Sequence, residues 1–246
     1  MPTNPMVVNL TQFNTMRTQF QQHYFLANCG TGFGGQDIQI SVSSLITAVQ
    51  AYMAASGTAA NNVALRFVLC YDTSTSALYL RLQICAMTAT SDPKKYDLVA
   101  TNCAWYKIQG TSITTTTVTD LYDQNYLNSF YYTSSGTCSS STAVHLSSDS
   151  SATIFVRNVV FPGSELLSIY SDNGNPQGAK ICFASISYAA NNPSPAVAYP
   201  HSLAIYLRDS SGTALLDDTT YTQDFKMKAG DYATTCPPHC NVYIYP

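Results

Sequence analysis

A chain of 246 residues has room for one large domain or two small ones, and with 46% hydrophobic residues it can build a core. Charged residues are only 10%, 11 basic against 14 acidic for a net charge of −3, which excludes the high-charge, low-hydrophobicity composition of a disordered chain. The largest basic cluster, Lys94–Lys95, is too small for the positive stripe that strong nucleic-acid binding or attraction to an anionic membrane needs.

Residues 9–25 carry Leu10, Phe13, Phe20 and Tyr24 at helical spacing, with Met16 filling the gap. Asn9 stands where a cap belongs and Gln12 three residues on, the pattern of a capping box. The apolar face can pack on the chain's own core or dock on a neighbouring subunit. Gly30, Gly32 and Gly35 spell G-x-G-x-x-G. A helix precedes them and no helix opens directly from them, so the dinucleotide context is missing and a connector is expected.

A second helix is expected over 41–56, with Leu45, Val49, Tyr52 and Met53 on its apolar face, Ser41 as cap and Gly57 as stop. A hairpin follows, 64–71 and 78–87, each arm alternating with period two and presenting one apolar face, the pattern of an antiparallel pair buried on that face alone. Matching those faces puts Leu69 opposite Leu80 and leaves 73–76 as the loop. Cys70 then faces Tyr79 and Cys85 faces Ala64, too far apart along the hairpin to bond to each other.

Further strands are expected at 97–108, 112–119, 152–160, 165–171, 180–188, 202–208 and 241–245, with a short helix over 120–130 capped by Asp120. The β-branched polar run Thr114-Thr115-Thr116-Thr117 suits an exposed strand. Residues 134–151 are Ser/Thr-rich and 189–200 carry Asn191, Asn192, Pro193 and Pro195, both the composition of loops. The order of elements predicts an α+β fold, a mostly antiparallel sheet or sandwich with two N-terminal helices in a single β-rich domain over 1–246.

No segment approaches the roughly 18 apolar residues of a spanning helix. Residues 1–10 lack a basic region followed by an apolar one, so the expected compartment is the cytoplasm, with lysis or signal-free export as the route outside. Thiols in that compartment stay reduced, which argues against a disulfide framework among the eight cysteines; the middle ones, in apolar strand-like runs, are expected as buried free thiols, and the tail pair Cys236 and Cys240 as one local disulfide or two thiols.

The string Cys236-Pro237-Pro238-His239-Cys240 offers Cys236, His239 and Cys240 as zinc ligands, with Cys138 and His145 to complete a set. Adjacent His239 and Cys240 point apart in an extended chain, and a stiff polyproline-like strap is the simpler reading. No G-x-S-x-G elbow is present. His23, His145, His201 and His239 are the possible bases, and Asp217–Asp218, in a tight turn after Gly212, are turn formers before they are an acidic pair. No catalytic residue and no cofactor is assigned.

The helix 41–56 leading into Val63-Ala64-Leu65-Arg66-Phe67, the hairpin arm 78–87 and the Cys236-Pro237-Pro238-His239-Cys240 tail together resemble a group of uncharacterised bacterial proteins. The Ser-rich middle, 110–200, has no counterpart there. The resemblance implies no activity and marks the tail as a structural signature.

Low charge, 18 tyrosines and polar uncharged loops suit a surface that packs against protein. The expected function is a self-associating structural protein, a subunit of a filament, sheath, shell or intracellular crystal with itself as partner. The expected interface residues are Leu10, Phe13, Phe20 and Tyr24 on the first helix, and Tyr131 and Tyr132 beside the Ser-rich loop. A carbohydrate-binding β-module, and after it a hydrolase or metal-dependent enzyme, are the alternatives.

Overall fold

The computed structural model describes residues 6–24, 37–72, 77–91, 95–117, 158–187, 201–217, 229–231, 234–236 and 242–243. In chain order these form β1 (Met6–Val8), α1 (Leu10–Tyr24), β2 (Ile38–Ser41), α2 (Val42–Ser56), a 3₁₀ turn (Ala60–Asn62), β3 (Val63–Asp72), β4 (Ala77–Ala89), β5 (Lys95–Gln109) and β6 (Ser112–Thr115). After residue 117 come β7 (Asn158–Pro162), α3 (Gly163–Asp172), β8 (Lys180–Ser187), β9 (His201–Arg208), β10 (Ala229–Asp231), β11 (Thr234–Cys236) and β12 (Val242–Tyr243). All strand pairs among the described residues are antiparallel, and with the helices they make a β-rich α+β arrangement.

The strands form two sheets. One runs β1-β10-β9-β8-β2; the other runs β11-β7-β3-β4-β5-β12, with β6 also on β5. One face of each contributes to a shared core. Val63, Leu65, Phe67, Leu80, Leu82 and Ile84 of the second sheet meet Ile40, Ile181, Phe183, Leu203, Ile205 and Leu207 of the first. Phe67 lies 4.8 Å from Phe183 and 5.8 Å from Phe161, centroid to centroid, so aromatic contact joins the sheets.

The expected register of the hairpin is observed: Leu69 pairs with Leu80, Cys70 with Tyr79 and Ala64 with Cys85. The expectation that only one face is buried is corrected. On the other face Val68, Cys70, Tyr79, Arg81, Gln83, Cys85 and Met87 are buried as well. Arg66 donates from Nη1 to Oε1 of Gln83 at 3.4 Å, a polar bond within that face.

Helix α1 starts with the expected capping box. Asn9 Oδ1 accepts from the Gln12 amide at 2.9 Å, and Gln12 Oε1 accepts from the Asn9 amide at 3.0 Å. The Leu10 amide donates to the carbonyl of Asp217, and Phe13 and Met16 bury against Cys182, Ala204 and Tyr206 on the outer face of β8 and β9.

Helix α2 buries Val42, Leu45, Ala48, Val49 and Tyr52, and Gly57 at φ +70° ends it with its amide on the Met53 carbonyl. Ser41 occupies the cap position without a capping bond; its hydroxyl meets that of Ser43. The strand β2 immediately before it was not expected. Its four residues alternate buried and half-buried along β8, a signal too short to stand out beside the helix.

The strand expected over 165–171 is a helix, α3. Leu166, Ile169 and Tyr170 recur at i, i+3 and i+4, and Leu166 and Ile169 are buried while Leu167 is exposed. Gly163 opens it because the backbone of β3 is close: a Cβ there would meet the Val63 carbonyl oxygen at 3.2 Å. The strand expected at 112–119 ends at Thr115, and of the one expected at 152–160 the described part is β7. The expected connector at 30–35, helix at 120–130 and loops at 134–151 and 189–200 lie outside the described residues.

Candidate functional site

Two clusters bring together chemically active side chains from distant parts of the sequence. The first gathers under α1. Asp37, just before β2, has its side chain 2% exposed. Arg17 on α1 reaches its Oδ1 from Nη2 at 2.9 Å, and Arg208 at the end of β9 comes within 3.6 Å of Oδ2. The Tyr206 hydroxyl donates to the same Oδ2. Arg208 in turn donates to the Tyr206 oxygen, from Nε at 3.2 Å and Nη2 at 3.0 Å, and from Nη1 to the carbonyl of Gly212.

Burial dominates the titration here. It lifts the Asp37 carboxyl above its usual range against the Tyr206 bond and the two arginines. It also holds the Tyr206 hydroxyl protonated well beyond the ordinary phenol range, helped by the nearby carboxylate. The Cys182 thiol beside them is pushed up to about 11, chiefly by burial. Every group is turned inward onto another, with Phe13 at 5.2 Å on the Tyr206 ring. Such an arrangement fixes α1 to the five-stranded sheet. Its acid, phenol and thiol are all held in the protonated direction by burial, the opposite of what a nucleophile requires.

The second cluster lies on the far face of the other sheet, at a bulge. Strand β4 pairs with β5 in one register up to Ile84↔Ala104 and in another from Ala86↔Val99. Cys85 sits at the change, with residues 100–103 bulged opposite it. Within the bulge Asn102 adopts φ +56°, a left-handed conformation that asparagine tolerates. Cys103 thereby packs against the cluster that holds Cys85.

Cys85 is buried, with Ala64, Met87 and Val160 around it, while Cys103 is half-buried. Protonated, Cys103 donates to the carbonyls of Val99 at 3.5 Å and Thr101 at 3.8 Å. Ionised, it accepts from Cys85 and from Gln83, with the Arg66 charge nearby, and these hold it below the usual thiol range against the cost of burial. Arg66 takes the amide oxygen of Gln83 and so leaves the amide nitrogen for the sulfur. Cys85 is pushed far up by the bond to Cys103 and by burial. Of the two, Cys103 is the thiol that ionises first and Cys85 the one that keeps its proton.

Of the residues expected at an interface, Phe13 is buried against Tyr206 and Leu10 is half-buried; the first three turns of α1 use their apolar side for the chain's own sheet. Phe20 and Tyr24 belong to the last turns of α1, and their side chains lie outside the described residues, as do Tyr131 and Tyr132. Cys236 falls on β11; its side chain, His239 and Cys240 are outside the description, as are the His23, His145 and His201 side chains. Among the described residues no three His, Cys, Asp or Glu gather to hold a metal ion. The turn expected over 212–218 closes earlier: Asp209 accepts at Oδ1 from the Ser211 hydroxyl and Thr213 amide, with Gly212 at φ +87°. Asp217 instead seats the start of α1 through its carbonyl.

Among the described residues no helix is long and apolar enough to cross a membrane. Comparison with protein-family models, with curated proteins and with solved structures finds no match.

Proposed function

We propose that this chain is a self-associating structural protein whose copies join at sheet edges. One observation carries the reading. Among the described residues strand β6 pairs only with β5, at an edge of the seven-stranded sheet, and its sequence, Ser112-Ile113-Thr114-Thr115, is uncharged and β-branched at three of four positions. Edge strands ordinarily carry a lysine, a proline or a bulge that stops a second chain from pairing; β6 has none. Its hairpin with β5 pairs Gln109↔Ser112 and Lys107↔Thr114, and Thr116 donates to the Trp105 carbonyl. That alternation aims the backbone of Ile113 and Thr115 away from β5, toward a further strand. Weak net charge offers little repulsion against such contact.

Negative-stain electron microscopy of the untagged protein over a concentration series tests the reading. Filaments, tubes or lattices are expected, and Thr115→Pro, which removes an outward donor without costing a bond to β5, is expected to abolish them while the monomer keeps its melting temperature. Dispersed particles at every concentration would overturn it.

A further inference from the structure

The bulge between β4 and β5 supports an inference separate from self-association. Continued one step past Ile84↔Ala104, where the ladder breaks, that register would oppose Cys85 to Cys103, and Cys103 packs against the cluster that holds Cys85. Residues directly opposed on antiparallel strands have Cα atoms about 4.5–5.5 Å apart, within the roughly 4.4–6.8 Å that a disulfide spans. The pair is also asymmetric, with Cys103 only half-buried and Cys85 buried at 1%, so an incoming reagent meets Cys103 first. Arg66 and Gln83 are placed to stabilise negative charge on that sulfur.

We propose that Cys85 and Cys103 form a redox-active dithiol that exchanges with low-molecular-weight disulfides, Cys103 attacking and Cys85 resolving. The Cys103 thiolate attacks one sulfur of RSSR, breaking its S–S bond and forming a Cys103–SR mixed disulfide, and the released RS⁻ takes up a proton from solvent. The Cys85 sulfur then attacks Cys103 Sγ, and its proton passes to the second RS⁻ as that leaves. The protein is oxidised by two electrons to the Cys85–Cys103 disulfide, and RSSR is reduced to two RSH. Arg66 is a positioning residue: it orients the Gln83 amide and adds positive charge beside Cys103.

The other two thiols among the described residues do not share these features. Cys182 is buried and held protonated, and Cys70 is buried opposite Tyr79, its sulfur directed at the carbonyl of Val68.

The test is peptide mapping by mass spectrometry of the reduced full-length protein after exposure to oxidised glutathione under native conditions. A Cys85–Cys103 cross-linked peptide is expected, with Cys182 still reduced. In Cys85→Ser a glutathione adduct is expected to accumulate on Cys103 for want of a resolving thiol. Before any oxidation, iodoacetamide should label Cys103 at least about tenfold faster than Cys182 at neutral pH. In Arg66→Gln the pH profile of that labelling should move to higher pH, a shift that a merely structural role for Arg66 would not produce. Cys85 and Cys103 both still reduced after other thiols have oxidised would overturn the proposal, and so would a Cys103 no faster than Cys182. The wild-type measurements decide the matter even where a variant folds poorly.

Discussion

Phe67 on β3 and Phe183 on β8 face each other across the two sheets with ring centroids 4.8 Å apart, and both are nearly fully buried. Because Phe67 also meets Phe161 edge-on, its ring touches aromatic neighbours in both sheets. Phe67→Ala leaves a cavity that neither sheet can close alone, and should cost about 3–5 kcal/mol. Urea unfolding monitored by circular dichroism measures this; a loss under about 1 kcal/mol would mean that the sheets collapse onto the gap.

Asn9→Ala removes one half of the capping box and leaves the Gln12 amide without its acceptor. The expected cost is about 1 kcal/mol, concentrated in α1. Native-state hydrogen exchange distinguishes this from a general loss: amides of the first turn of α1 should exchange faster while those of β3 and β4 hardly change.

The features that were legible in the sequence are those with a local rule. The Asn9/Gln12 box, the Gly57 stop and the Leu69↔Leu80 register each follow from spacing over a few residues. Helix α3 is short and begins straight out of a strand, so its i, i+3, i+4 pattern competed with an apolar run. The Asp37 cluster gave no signal, because Arg17, Tyr206 and Arg208 are remote in sequence and are brought together only by α1 lying on β8 and β9. The thiol pair was hidden by the bulge. Counting inward from Ala89↔Tyr96 at constant register sets Cys85 opposite Ala100; the three-residue shift delivers Cys103 instead.

Stability should depend on pH through Asp37 in a direction opposite to that of a surface ion pair. Its folded-state pKa is raised above the ordinary carboxyl value of 3.8, by burial first, so the folded chain holds the proton more tightly than the unfolded one. The stability from this group is therefore complete below that ordinary value and is lost as pH rises through the raised one. Asp37→Asn, which resembles the protonated acid at all pH, should gain on the wild type as pH rises through that window. Paired melting curves from pH 3.5 to 7.5 show the trend; a wild type that gains on the variant instead would mean that Arg17 and Arg208 outweigh burial.

Tyr206→Phe keeps the ring against Phe13 but deletes the hydroxyl that donates to Asp37 and accepts from Arg208. A buried carboxylate that loses a donor costs about 1–3 kcal/mol, and the effect should fall on the seat of α1. Since the hydroxyl acts through Asp37, the penalty should shrink in the Asp37→Asn background, where no charge needs the bond. A double-mutant cycle measured by urea unfolding at pH 7 is then non-additive by about 0.5 kcal/mol or more. Additive costs would separate the two groups, leaving Tyr206 to hold the helix through its ring and its bond to Arg208 alone.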